Sequence, residues 1–182
     1  MNQSLSGFHW RRWALALFGL GLLIAGVGWY GVLAPMRNPA AIPIPGAVAG
    51  LPLTGHAFGS EAGEHIAHLH GKGFPLTGAA VGEYGNRQAT VWVSSASIAW
   101  AAQRQIQAMT DAIETGDSPF QPTGVSEMGG CPVYALTGMG QRHYYFRAGN
   151  RLIWLAVAEE KAGDALRSVL DYYAPNRTGS RY

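Results

Sequence analysis

Cysteine and charge are what this chain has least of. One cysteine in 182 residues excludes an internal disulfide framework, a cysteine-rich zinc site, an iron–sulfur cluster and a CxxCH haem attachment. Charged residues make up 13% of the chain, about half the usual share, which excludes the composition of a disordered protein. The net charge of +2 is unevenly placed. Arg11, Arg12 and Arg37 account for three of the 13 basic residues, so from residue 38 onward 10 basic residues face 11 acidic ones, a net of −1. Without a basic stripe to neutralise phosphates, nucleic acid is not an expected partner. GxSxG, the P-loop, HExxH and a placeable pair of carboxylates are also absent, so no catalytic residues, no enzymatic activity and no cofactor are expected.

What is there begins with a long apolar run. Trp13 to Met36, WALALFGLGLLIAGVGWYGVLAPM, carries no charge. About 20 apolar residues span a bilayer core, and a signal-peptide core is usually only about 7–15 residues long. The expectation is an uncleaved transmembrane helix over 13–36, with Trp10, Trp13, Trp29 and Tyr30 as interfacial aromatics. Arg11 and Arg12 outweigh Arg37, which places the N-terminus (1–12) in the cytoplasm and the rest in the periplasm or outside the cell. The expected location is the bacterial inner membrane, crossed once. Gly21, Ala25 and Gly28 are spaced four and three, so they share one helix face where a partner helix can approach closely. The partners this implies are the membrane and other membrane-protein subunits.

Residues 37–55 read as a proline-rich linker, with Pro39, Pro43, Pro45 and Pro52 arguing against helix or inner strand. A length of 182 residues leaves room for one domain after it, expected over 56–175 with a tail at 176–182. The fold class expected is α+β, an antiparallel sheet with helices packed on one face. A short helix is read over about 61–70, ended by Gly71. Strands are read at 78–84 and 88–95 around Tyr84-Gly85-Asn86-Arg87, with Ala89, Val91 and Val93 opposite Thr90, Trp92 and Ser94. Ile98, Ala102, Ile106, Met109 and Ile113 mark an amphipathic helix closed by Gly116. Residues 117–130 read as loop. Strands at 132–137, 141–148 and 151–158 follow, with a hairpin turn at Ala148-Gly149-Asn150. The run Leu152–Val157 is continuously apolar, as in a strand covered on both faces. A helix over 159–173 buries Ala162, Leu166, Val169 and Tyr173, and Pro175 stops it. Residues 79–114 and 133–173 each read as strands followed by a helix, a candidate internal repeat.

Two clusters carry chemistry. In EAGEHIAHLHGK, the helical spacing brings together Glu61, His65, His68 and His70, donors that suit zinc or copper. The same residues also read as an exposed polar face with weak Glu–His pairs. In GMGQRHYYF, His143 and Tyr145 share one strand face and Tyr144 and Phe146 the other; the first pair is either a ligand-contacting aromatic patch or ordinary sheet packing. Cys131 reads as a small buried residue. The function expected is that of a non-enzymatic membrane accessory or regulatory subunit docking on a larger assembly. The alternative is an anchored periplasmic module binding a small ligand, metal or haem.

The segment HYYFRAGNRLIWLAVAEEKAGDALRSVLDYY resembles the end of the extracytoplasmic domain of bacterial transmembrane anti-sigma-factor regulators, where an aromatic strand, a turn, an apolar strand and a short helix close the domain. The resemblance covers roughly a sixth of the chain and implies a similar outer fold. Those regulators carry a zinc-containing sigma-binding domain ahead of the membrane helix. Here about 12 residues without cysteine precede the apolar run, so sigma binding does not carry over.

Overall fold

The computed structural model describes residues 6–30, 34–70, 75–116 and 118–174. Gly71, Pro175 and the tail 176–182 lie outside the described residues, as do the side chains of Trp10, Arg11, Arg12, Trp13 and His70.

Helix α1 covers Ser6–Gly28, and Trp29 and Tyr30 follow in a π-type turn. A short helix α2 spans Ala34–Arg37. Among the described residues no helix is long and apolar enough to cross a membrane, and this overturns the expected transmembrane span over 13–36. The reason lies in where the helix begins and ends. It takes in Arg11 and Arg12 and closes at Gly28, so its charge-free part, Trp13–Gly28, is roughly 16 residues, or about 24 Å at 1.5 Å per residue. A bilayer core is about 30 Å thick and needs about 20 residues. Gly19, Gly21, Gly26 and Gly28 further dilute its apolar character.

The rest folds around one nine-stranded sheet. Its strands are β1 (Ala40–Ala41), β2 (Ala47–Val48), β3 (Leu51–Phe58), β4 (Gly78–Tyr84), β5 (Ala89–Ser95), β6 (Gln121–Met128), β7 (Cys131–Gly138), β8 (Gln141–Ala148) and β9 (Arg151–Val157). The spatial order is β2-β3-β4-β5-β9-β8-β7-β6, all antiparallel, with β1 running parallel beside β4. Three helices complete the domain: α3 (Gly59–His70), α4 (Ala99–Glu114) and α5 (Ala162–Tyr173), the last preceded by a 3-10 turn at Glu159–Lys161.

The helices lie on both faces of the sheet, where one face was expected. Ala62 and Ile66 of α3 pack with Ala57, Ala79 and Val81. Ile106 and Ile113 of α4 pack with Leu136 and Tyr145 on that same face. The α5 stripe Ala162, Leu166, Val169 and Tyr173 packs on the other face, against Val91, Val93, Phe146, Ile153 and Leu155. The two strand–helix units meet at the sheet centre, where β5 pairs β9. Because α4 and α5 leave their strands on opposite faces, the units do not form a symmetric repeat. The physical cause is the apolar run of β9: alternate residues face opposite sides of a strand, so both sides need cover.

The expected linker 37–55 is part of the domain. Ile42 and Val48 sit in the α5-side core. The buried Tyr84 hydroxyl donates to the Pro45 carbonyl at 2.9 Å, and Tyr173 donates to the Pro43 carbonyl at 3.2 Å. Burial pushes both phenols above their ordinary range. Prolines lack only the donor; their carbonyls remain, and here they satisfy the two buried tyrosines. The segment 117–130 likewise departs from the loop expected, since Gln121–Met128 forms the edge strand β6. Every residue of β6 is exposed, so no apolar alternation marks it in the sequence.

Candidate functional site

The side of the sheet beneath α4 carries a row of aromatics held in register. Tyr134 on β7 pairs with Tyr145 on β8, which pairs with Trp154 on β9, which pairs with Trp92 on β5. Tyr134 and Tyr145 stack at 4.6 Å and 5° between planes, and Tyr145 and Trp154 at 5.4 Å and 9°. Phe120 closes the cluster, 4.6 Å from the His143 ring and 5.1 Å from Trp154. It fits because position 138 is glycine: a Cβ there would come within 2.6 Å of the Phe120 ring.

His143 and Tyr145 share this face, with Tyr144 and Phe146 on the other, as the alternation requires. They are not open to a ligand, however: His143 is 4% and Tyr145 1% exposed. Both nitrogens of His143 are used. Nε2–H donates to the Gly138 carbonyl at 3.0 Å, and Nδ1 accepts from Trp154 Nε1–H at 3.1 Å. That pattern is a neutral imidazole with one donor and one acceptor, each partnered. Burial pulls its pKa below the ordinary 6.5, and the bond to Gly138 offsets part of the fall. The Tyr145 hydroxyl bonds Thr110 Oγ1 at 2.9 Å, and Thr110 donates onward to the Ile106 carbonyl at 2.9 Å. Burial raises the Tyr145 phenol. Among the described residues no buried side-chain nitrogen or oxygen lacks a partner. The patch is therefore sheet packing, the second of the two readings open in the sequence. Thr110, Phe120, Gly138 and Trp154 were missed as its members. The signal for Trp154 was available: a turn at 149–150 puts Ala148 opposite Arg151, and hence Tyr145 opposite Trp154.

The histidine cluster lies on the solvent side of α3. Ala62 and Ile66 face the sheet, while Glu61, Glu64, His65 and His68 are exposed. His70 belongs to the helix backbone, and its side chain lies outside the described residues. Among the described residues no three His, Cys, Asp or Glu side chains gather as metal ligands. His56 stands on the sheet face opposite Ala57, away from α3, with its ring 5.0 Å from Phe58. In α1, Gly21 and Ala25 are exposed, and among the described residues no side chain or other element lies within 4 Å of where a Cβ at Gly21 or Gly28 would stand. Cys131 is buried, and its thiol donates to the Met128 carbonyl at 3.3 Å. Burial and Glu127 push that thiol up, and Arg147 offsets part of the rise, the reverse of what a reactive thiolate needs.

One concave feature borders the aromatic row. Gln103 and Ile106 of α4, Pro132 and Tyr134 of β7, and Arg147 of β8 line a cleft of about 70 Å³. No protein-family model matches this chain, and no curated protein or solved structure proved similar to it.

Proposed function

We propose that the protein is a non-enzymatic accessory subunit that docks on a larger assembly at the bacterial inner membrane, with α1 as an apolar contact element and the α+β domain as a rigid head. The observation that carries this reading is the surface of α1. Leu15, Leu17, Phe18, Leu20, Leu22, Leu23, Ile24 and Val27 are all exposed, Leu15 by 72%. Contiguous apolar surface of that extent is covered by another molecule in a working protein. The absence of enzymatic chemistry is part of the proposal. It draws support from His143, Tyr145, Thr110 and Trp154, whose polar atoms are committed to one another in the core. A module that binds a small ligand stays as the second reading, and the cleft beside Tyr134 favours it.

The test is reciprocal affinity purification of the full chain in mild detergent. Changing Gly21 and Gly28 to Leu keeps α1 apolar and fills the face where a helix would approach. The expected result is loss of the copurifying subunits with an unchanged melting temperature of the domain. Retention of the same partners by this variant, and by a chain whose α1 is replaced with an unrelated apolar helix, would sink the reading.

A further inference from the structure

Arg147 holds a half-buried guanidinium that makes no ion pair among the described residues. Its Nε donates to Gln103 Oε1 at 2.9 Å and its Nη1 to the Gly149 carbonyl at 2.6 Å. Both acceptors are neutral. The guanidinium lines the cleft with Gln103 and Tyr134, backed by Ile106 and Pro132. Since the arginine occupies Gln103 Oε1, the amide NH₂ is the end left over, and it is a donor. Tyr134, clamped flat on Tyr145, adds a hydroxyl. The residues lining the cleft can thus offer hydrogen-bond donors, one of them fully positively charged, and the apolar wall weakens screening by water.

From this convergence we infer that the cleft is a carboxylate-binding site, taking the two-oxygen head of an acidic side chain, a chain terminus or a small organic acid. The size agrees. A space of about 70 Å³ is large enough to hold a carboxylate head. With Nε on Gln103 and one Nη1 hydrogen on Gly149, Nη2 and the second Nη1 hydrogen form the end of a planar fork that matches two oxygens at once. Glu127 stands opposite Pro132 in the β6–β7 ladder and is exposed. Its negative charge at the rim works against a dianion such as phosphate and leaves a monoanion as the occupant. The inference concerns the domain alone, so it stands or falls apart from the docking role of α1.

NMR of the full chain in mild detergent tests it, with sodium acetate titrated against chloride at constant ionic strength. The Arg147 Nε–H and Gln103 amide signals are expected to shift and saturate, with a dissociation constant on the order of 1 mM. Neutral acetamide leaves them in place. Arg147→Met, read at the Gln103 amide, weakens binding at least tenfold. Gln103→Leu, read at Arg147 Nε–H, weakens it several-fold and carries the test if the arginine variant does not fold. A peptide with a free C-terminal carboxylate that binds tenfold more tightly than acetate assigns the site to a protein partner; a peptide no tighter than acetate assigns it to a free small acid. Shifts that never saturate, that acetamide reproduces, or that persist unchanged in both variants overturn the site.

Discussion

The two faces of the central sheet are sealed by different physics. Beneath α5 the buried side chains are mostly aliphatic, with Phe146 at the centre, and the segment before β3 packs onto them through Ile42, Ile44 and Val48. Apart from the Tyr84 and Tyr173 hydroxyls, which bond the Pro45 and Pro43 carbonyls, contacts there are non-directional, and their strength follows buried area and packing. Beneath α4 the layer is aromatic and polar, stacked across three strands and tied by the chain Gly138–His143–Trp154 and the chain Tyr145–Thr110–Ile106. Contacts there are directional, so their energy depends on angle and on protonation. The α5 face should therefore respond to lost volume, and the α4 face to lost or mismatched hydrogen bonds.

The largest expected effect is on the α5 face. Phe146→Ala leaves a cavity in a fully buried layer and should cost about 3–5 kcal/mol by chemical denaturation. A loss near 1 kcal/mol would break the comparison by showing that this face repacks freely. Next comes His143→Leu, which removes the acceptor for the Trp154 indole N–H. A buried donor left unsatisfied costs about 1–3 kcal/mol, and the loss should shrink in a Trp154→Phe background, where only the Gly138 carbonyl still lacks its imidazole donor.

The same histidine predicts a dependence on pH confined to the α4 face. Its folded pKa lies below the ordinary 6.5, so the unfolded chain takes up the proton first as pH falls. The contribution is fully present above pH 6.5 and is lost as pH falls toward the folded pKa. Protonation would also set an N–H on Nδ1 against the Trp154 N–H, two donors facing each other. Melting curves between pH 7.5 and 5 should show the native protein losing stability more steeply than His143→Gln; parallel curves would refute the assignment. Smaller still is Tyr145→Phe, which removes one hydrogen bond to Thr110 at a cost of about 1 kcal/mol. A double-mutant cycle with Thr110→Val should return coupling of that order. The smallest belongs to Arg142–Glu159, with side chains 30% and 69% exposed. At such a site, breaking the pair costs about 0–1 kcal/mol, and the cost should shrink further in high salt.

Much of the domain was legible because local periodicity is a property of the chain itself. In β5 the split of Ala89, Val91 and Val93 from Thr90, Trp92 and Ser94 appears as two opposite faces. On α5 all four stripe residues are buried. On α4, Ala102, Ile106 and Ile113 are buried, but Ile98 is 57% exposed because it is the cap before the helix and not part of its stripe. The strand β6 was illegible for a physical reason: an edge strand exposed on both faces needs no apolar alternation, and Pro122 and Gly124 read as loop. His143 and Tyr145 were found as a pair, yet their burial was not visible. It depends on Phe120, Gly138 and α4, which are distant in sequence or lie in a stretch read as loop.

By itself, then, the sequence determined the helices and strands that carry an apolar periodicity, which residues of each share a face, and that nothing in the chain carries a familiar catalytic motif. These follow from spacing and backbone preference, which act over a few residues. Only the tertiary structure decided that the helices divide between the two faces and that the proline segment seals one of them. It alone turned a His–Tyr pair into a closed hydrogen-bond network and set an arginine without an ion pair among the described residues into a cleft. Those outcomes depend on strand pairing and on which buried donor meets which acceptor. Both are settled between segments far apart in the chain, where local periodicity carries no information.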